Sequence, residues 1–234
     1  MKSLHRKKYL IWLLLFLVLT IGSIFAYKYH SKIKYLIEQV YYYLISSPKQ
    51  ETGQNQINIL KQAVELTEKN YGKEIDELAK QFNIPTSYLK ALILLECAGK
   101  KPVTSRFESH VYTQLKKVSV GQIAFYKGVA TSDIRESIDQ ALRNLASSWG
   151  PFQLMGYKCI ALGITVNDIR DEDTLYWSVK WINLTYGNYL REKKYNQAFH
   201  IHNTGKEFPD NGIAITHDPL YVEKGLQYME YFQE

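Results

Sequence analysis

A run of nineteen residues without a charged side chain, Tyr9 to Tyr27, constrains this chain more than any other feature. At a rise of about 1.5 Å per residue, a helix of that length spans a hydrocarbon core of about 30 Å. Basic residues precede the run within residues 1–8, and the positive-inside rule therefore favours a cytoplasmic N-terminus. We expect residues 1–8 to be a cytoplasmic tail and residues 9–27 a single-pass membrane anchor. In a bacterial cell this would be an inner-membrane anchor with the C-terminal part in the periplasm.

A cleaved signal peptide is the alternative for this segment. The apolar run is longer than the usual h-region of about 7–15 residues, and no A-x-A cleavage site follows Ala26. The sequence therefore favours an uncleaved anchor.

The formal net charge of +6 suggests an anionic partner until it is divided along the chain. Residues 1–34 hold seven Lys or Arg and no acid, so the remainder carries 29 − 7 = 22 basic against 23 acidic residues, a net charge of −1. The basic character belongs to the membrane-proximal segment. We therefore expect no nucleic-acid partner.

Helical spacing dominates the remainder of the chain. Residues 28–56 read as a juxtamembrane helix and a polar linker, and a mainly helical domain is predicted over residues 57–234. Residues 75–93 (IDELAKQFNIPTSYLKALI) also fit a DNA-binding helix-turn-helix taken alone. The near-neutral charge of the domain and its predicted export argue against that alternative.

Glu96 is the first candidate catalytic residue. Leu89, Leu92 and Ile93 form an apolar stripe whose next position is Glu96, and the helix is expected to end near Gly99. Burial and the negative end of the helix dipole both disfavour the charged carboxylate, so its pKa should rise and suit it to act as a general acid. The alternative is a solvent-facing Glu, or one paired with a lysine.

Four blocks resemble the lysozyme-like peptidoglycan-cleaving enzymes, a group that includes N-acetylmuramidases and lytic transglycosylases. Residues 87–100 (SYLKALILLECAGK) are similar to the helix that ends in the catalytic Glu of that family. Residues 146–156 (ASSWGPFQLMG) resemble its SWG-x-x-Q-x-MG block, residues 202–205 (HNTG) its YNAG-type block, and residues 106–112 (RFESHVY) its F-E-x-H-x-F stretch. The blocks follow the order of the family and spread over roughly half of the chain. Two departures are Cys97, where transglycosylases commonly have Ser, and His202, where they have Tyr.

The resemblance implies a lysozyme-like fold, a peptidoglycan substrate and a set of site residues. Residues 218–232 (DPLYVEKGLQYMEYF) resemble the closing helix of that fold, with a core face expected at Tyr221, Leu226, Met229 and Phe232. Glu96 would be the catalytic acid, and Glu108 is the candidate second carboxylate. A capping box from Ser105 to Glu108 is the structural alternative for Glu108. The expected substrate-binding residues are Ser148, Trp149, Gln153, Met155, His202 and Asn203. Trp149, Phe152 and Met155 also fit an ordinary apolar core, whereas Gln153, a polar residue in an apolar run, needs a hydrogen-bond partner.

Metal and disulfide chemistry are weakly indicated. His200, His202 and His217 lie within eighteen residues, but without the Cys or HExxH spacing typical of zinc sites, so we predict no metal and no cofactor. Cys97 and Cys159 are the two cysteines, and the sequence leaves open whether they form one bridge or remain separate thiols.

The predicted function is cleavage of the β-1,4 bond between N-acetylmuramic acid and N-acetylglucosamine by an anchored enzyme. Anchoring suggests local wall remodelling, as for enzymes that serve an envelope-spanning secretion or conjugation machine. The competing hypothesis is an inactive glycan-binding or tethering component of a cell-envelope complex.

Overall fold

A computed structural model describes residues 53–171 and 173–233. The predicted tail, the predicted anchor and most of the predicted juxtamembrane stretch and linker lie outside this range. The described helices and strands belong to one compact unit, Thr52–Pro209 with Ala214–Glu234. Within the described range, every helix is too short or too polar to cross a bilayer.

The unit is mainly helical, as predicted, with two small antiparallel sheets. The α-helices are, in chain order, α1 (Gly53–Thr67), α2 (Lys73–Phe82), α3 (Thr86–Cys97), α4 (Ser109–Ser119), α5 (Thr131–Ile134), α6 (Asp139–Leu145), α7 (Lys158–Leu162), α8 (Thr174–Arg191), α9 (Tyr195–Thr204) and α10 (Tyr221–Glu230). A π-helical segment (Glu68–Gly72) joins α1 to α2, and a 3-10 turn (Asn167–Ile169) precedes α8. The strands are β1 (Arg106–Phe107), β2 (Phe125–Tyr126), β3 (Val129–Ala130), β4 (Ser147–Trp149) and β5 (Leu154–Met155).

Helix α3 is the central element of the core. Its residues from Tyr88 to Leu94 are all buried, including the charged Lys90. A helix that is apolar on every face is a core helix, whereas the second helix of a DNA-binding helix-turn-helix must be exposed to enter a groove. The helix-turn-helix alternative for residues 75–93 is therefore excluded. Lys90 is compensated by salt bridges to Glu68 at 2.9 Å and Asp76 at 3.0 Å.

Helix α10 packs on α3 and on α9, and a glycine sets the spacing of α9 and α10. A Cβ at Gly225 would lie 2.7 Å from the ring of Phe199, closer than side chains pack. The closing helix that the sequence predicts is thus present as α10, but one residue of its predicted core face is not buried. Leu226 is 39% exposed, because Gly225 and not Leu226 faces Phe199.

A second, smaller cluster lies around α4 and carries the strands. Strand β1 pairs with β4, and β4 pairs with β5, in the order β1-β4-β5. Strands β2 and β3 form a separate hairpin. The alternative of a capping box from Ser105 to Glu108 is excluded, because Arg106 and Phe107 are extended and paired to β4, and α4 begins only at Ser109.

The two cysteines are separate thiols. Cys97 packs against the main core around α3, and its Sγ donates to the carbonyl of Ile93 at 3.4 Å. Cys159 is buried in a third cluster with Leu154 and Ile169. The question that the sequence leaves open is thus answered by their placement in different clusters.

Candidate active site

Glu96 occupies the last turn of α3, as the apolar stripe predicts. Ala98 adopts the left-handed conformation with φ 51° and ends the helix directly after Cys97. The Glu96 side chain is 17% exposed, so it is largely desolvated but reachable from solvent. The hydroxyl of Tyr221 on α10 donates a hydrogen bond to its Oε1.

Burial raises the pKa of Glu96 to about 7. The hydrogen bond from Tyr221 and the positive charges of Lys158 and Arg106 oppose this rise, since each favours the carboxylate. A carboxyl group that is still partly protonated near neutrality can donate a proton to a leaving oxygen and then exist as a carboxylate. These are the two states that a general acid requires.

His202 connects α9 to the turn between β4 and β5. Its Nε2 lies 3.1 Å from the carbonyl oxygen of Phe152, and its Nδ1 lies 2.7 Å from the hydroxyl of Tyr186. A carbonyl oxygen only accepts, so Nε2 carries the proton and donates, and Nδ1 accepts from Tyr186. A break in the regular geometry of α8 at Tyr186, with φ −144°, accompanies this contact.

The ring of His202 is a neutral neighbour of Glu96. Its Nε2 lies 3.8 Å from Oε1 of Glu96, while burial and the charge of Lys158 lower the pKa of His202 to about 3. At neutral pH the pair is therefore not an ion pair. Both ring nitrogens are bonded within the protein, so this side chain positions the site and offers no free donor for substrate.

Gln153 has the partner that its place in an apolar run requires. Its Oε1 accepts from the hydroxyl of Ser148 at 2.6 Å, and its Nε2 donates to the carbonyl of Gly150 at 3.0 Å. The backbone at Gln153 is left-handed, with φ 48°. Ser148 is buried at 5% exposure. The amide of Gln153 and the hydroxyl of Ser148 thus hold the turn between β4 and β5 in shape.

The glycines of residues 146–156 are required by protein packing. A Cβ at Gly156 would lie 2.2 Å from the carbonyl oxygen of Asn144, and one at Gly150 would lie 2.2 Å from Oγ1 of Thr174. Gly150 also has a positive φ of 68°. The chain therefore approaches itself closely at both positions.

Trp149 and Met155 are partly buried and pack against the core, whereas Phe152 is fully buried, as the core alternative predicts for it. The indole of Trp149 donates to the carbonyl of Asn144 at 2.9 Å, and the guanidinium of Arg170 lies 4.8 Å from its ring centre. Trp149 also borders a cavity of about 980 Å³, whose lining does not include Glu96.

Glu108 lies at the junction of β1 and α4. Its carboxylate is 2.9 Å from Nε of Arg106 and 3.6 Å from Nδ1 of His110. Its backbone N–H donates to the carbonyl of Ala146, which ties this junction to β4. The charge of Arg106 also acts on Glu96, where it favours the carboxylate.

Asn203 and His200 have opposite surroundings on α9. Asn203 is exposed, and within the described residues its side chain makes no hydrogen bond. His200 is buried, with Nδ1 2.8 Å from the carbonyl of Lys206 and Nε2 accepting from the N–H of Ile215 at 3.1 Å. His200 is thus fully bonded within the protein, as His202 is.

Two residues at the site were missed by sequence reasoning. The sequence places Tyr221 only in the core, and its buried ring fits that expectation, but its hydroxyl is the partner of Glu96. Lys158 begins α7 just beyond Gly156, and its Nζ lies 5.0 Å from the ring centre of Trp181. The position of Lys158, two residues after the matched block, is the signal that could have identified it.

Comparisons with known proteins identify no family. No family model matches the chain. No curated protein matches it. Among solved structures it is similar to one described as "Crystal structure of Burkholderia AP3 phage endolysin", with 20% identity, coverage of 69% of this chain and 71% of that chain, and a TM-score of 0.47. A similarity of this size defines neither a family nor an activity for this chain.

Proposed function

We propose that this protein is a glycosidase that cleaves the β-1,4 bond between N-acetylmuramic acid and N-acetylglucosamine in peptidoglycan. The observation that carries the proposal is the carboxyl group of Glu96, which is desolvated at a helix end, reachable from solvent and shifted to a pKa of about 7. The order of the four sequence blocks, which resembles that of lysozyme-like enzymes, supports the same substrate class.

In the proposed mechanism Glu96 first acts as an acid. Among the described residues, hydrogen bonds reach only its Oε1, from Tyr221, so Oε2 is the oxygen available to substrate. Oε2 donates its proton to the glycosidic oxygen as the bond to the anomeric carbon breaks. The charges of Lys158 and Arg106 then stabilise the carboxylate that remains.

Glu96 then acts as a base in one of two ways. It takes a proton from water in a hydrolase, or from the 6-hydroxyl of the muramic acid in a lytic transglycosylase. In the first route Glu108 would position the water; in the second the acetamido group of the substrate serves as nucleophile. Asn203, whose amide is exposed and free of side-chain hydrogen bonds in the described structure, is assigned to substrate binding, together with the Gln153 turn.

Product mass distinguishes the two routes. The full chain, purified in a mild detergent, is incubated with isolated peptidoglycan, and the masses of the soluble fragments are measured by mass spectrometry. Fragments with reducing muramic acid ends identify a muramidase, the route in which Glu108 would position the water. Fragments lighter by one water identify a lytic transglycosylase. Fragments cut in the stem peptides would contradict the proposal.

The proposal includes the anchor predicted over residues 9–27, with the catalytic domain in the periplasm. An inner-membrane enzyme placed there would cut the wall locally, as assembly of an envelope-spanning secretion or conjugation machine requires. Protease treatment of intact spheroplasts tests the topology: the domain should be degraded without lysis of the inner membrane. A domain protected until lysis would contradict it.

Glycan binding without cleavage is the competing function, and two observations favour it. His202 replaces the family's Tyr, and both of its ring nitrogens are bonded within the protein. Cys97 replaces the family's Ser, and its thiol is bonded to the helix backbone. Neither side chain can therefore give the substrate the hydroxyl contact that the resemblance implies. Retention of the folded protein on peptidoglycan without soluble products would establish this function.

A further inference from the structure

Lys158 is a cation whose charge acts on Glu96 and which has no acceptor among the described residues. Within the described part of the chain, its ammonium has neither a salt bridge nor a hydrogen bond, and it lies 5.0 Å from the ring centre of Trp181. An ammonium group has three N–H donors, and leaving them without acceptors in a partly buried place is unfavourable. A site of this kind is suited to a ligand that supplies the missing acceptor.

The β2–β3 hairpin brings a second cation to the same place. Tyr126 of β2 and Tyr157, which directly precedes Lys158, both pack against the cluster around α4. Lys127 follows Tyr126 at the tip of the hairpin, where its φ is 52° and its side chain is exposed. Each lysine is thus the sequence neighbour of a tyrosine in the same cluster, and the charge of Lys127 acts on Lys158.

The charges at this edge of the site are unbalanced. Repulsion from Lys127, in addition to burial, lowers the pKa of Lys158 to about 8, whereas the carboxylate of Glu96 opposes that shift. Arg106, the other cation that acts on Glu96, is already paired with Glu108. Lys127 and Lys158 thus form the part of the site that an anion would stabilise.

We propose that Lys158 and Lys127 form a binding site for a carboxylate of the glycan substrate, next to the bond that Glu96 protonates. The inference rests on the proposed glycan substrate. Muramic acid residues provide such a carboxylate in two ways: on their own lactyl group when the stem peptide has been removed, and on the stem peptide when it is present. The site would therefore select strands by their charge.

The test measures binding to soluble glycan strands by the full chain carrying Glu96→Gln, so that cleavage does not interfere. One sample of strands is stripped of peptides, which frees the lactyl carboxylates, and a second retains its peptides. A portion of each is coupled to methylamine to neutralise its carboxylates. We expect neutralisation to weaken binding roughly tenfold for one of the two samples, since a charge-assisted hydrogen bond is lost.

Lys158→Met is combined with Glu96→Gln. It should weaken binding by a similar factor to the sample of strands that is sensitive to neutralisation, here called the preferred sample, and it should abolish the effect of neutralisation. Lys127→Met, an exposed change, should act in the same direction. Lys117→Met, on the exposed side of α4, is the matched control and should bind like its parent. The preferred sample, stripped or peptide-bearing, identifies the source of the carboxylate.

Two outcomes overturn the inference. The first is binding whose affinity is unchanged by replacement of either lysine and by neutralisation of the carboxylates, and the second is the absence of binding by folded protein. The wild-type chain is assayed in parallel for fragment release. Cleavage by the wild type with lysine-independent binding refutes the carboxylate site alone. Lysine-dependent binding without cleavage refutes the proposed enzymatic activity and leaves the carboxylate site in place.

Discussion

Tyr221 and Glu96 are 125 positions apart in the sequence, and the hydroxyl of Tyr221 donates a hydrogen bond to the carboxyl group of Glu96. Helix α10 packs on α3 and brings the two side chains together. The hydrogen bond favours the carboxylate, whereas burial disfavours it more strongly, so the pKa of Glu96 is set by the balance of the two. Tyr221 is therefore a positioning residue for the proposed acid.

Tyr221→Phe should shift the pH dependence of activity. With a Glu96 pKa of about 7, the protonated acid is lost and kcat/KM falls as the pH rises above that value. Removing the hydroxyl removes an interaction with the charged form, so the alkaline limb should move to higher pH. Tyr228→Phe, on the same helix, is the control. An unchanged alkaline limb in Tyr221→Phe would show that Glu96 is not the group that titrates.

Glu96→Gln should stabilise the fold at alkaline pH. The folded pKa of Glu96, about 7, is above its ordinary value of 4.5, so the folded state binds the proton more tightly than the unfolded chain. That stabilisation is complete below pH 4.5 and is lost as the pH rises through 7. At pH 8 the variant should gain about 3 kcal/mol in the free energy of unfolding, and at pH 4 it should gain little. Urea unfolding at the two pH values measures both; equal effects would contradict the burial of this charge.

His202→Phe should destabilise the protein more than Tyr186→Phe. The first change leaves both the Phe152 carbonyl and the Tyr186 hydroxyl without a partner, at a cost of roughly 2–4 kcal/mol, whereas the second leaves only Nδ1 of His202 unpaired, at about 1–2 kcal/mol. Urea unfolding at pH 7.5 tests the order. A reversed order would mean that the ring of His202 does not hold the β4–β5 turn.

Gln153→Ala and Gln153→Gly separate the amide of Gln153 from its backbone conformation. Both variants lose the hydrogen bonds to Ser148 and Gly150, so activity should fall in both as the turn loosens. Glycine tolerates the positive φ, and the glycine variant should therefore be more stable than the alanine variant by about 1 kcal/mol. Thermal unfolding gives the stability and fragment release the activity. Full activity in both would refute a role for the amide.

The sequence predicts the local part of this site. The apolar stripe on α3 is read from residues three and four apart, and it correctly places Glu96 at a buried helix end. The partner Tyr221 is not predictable in this way, because a buried tyrosine on a closing helix resembles any core residue until the packing of α10 on α3 is known. The role of Lys158 is equally unpredictable from the sequence, since its surroundings depend on the hairpin that carries Lys127.

Errors in the sequence reading also have a packing origin. The resemblance of residues 218–232 to a closing helix puts Leu226 in the core, but the close approach of α10 to Phe199 gives the buried position to Gly225. The capping box from Ser105 to Glu108 matched in residue types, yet pairing with β4 keeps Arg106 and Phe107 extended. In both cases a long-range contact overrides a local pattern.

The most direct test of the central claim compares fragment release from isolated peptidoglycan by the wild-type chain and by Glu96→Gln at equal concentrations of folded protein. The account predicts soluble glycan fragments from the wild type and a loss of at least about a hundredfold in the variant, because the proton donor is absent. Equal release by the two proteins would contradict the assignment of Glu96, and no release by either would contradict the enzyme itself.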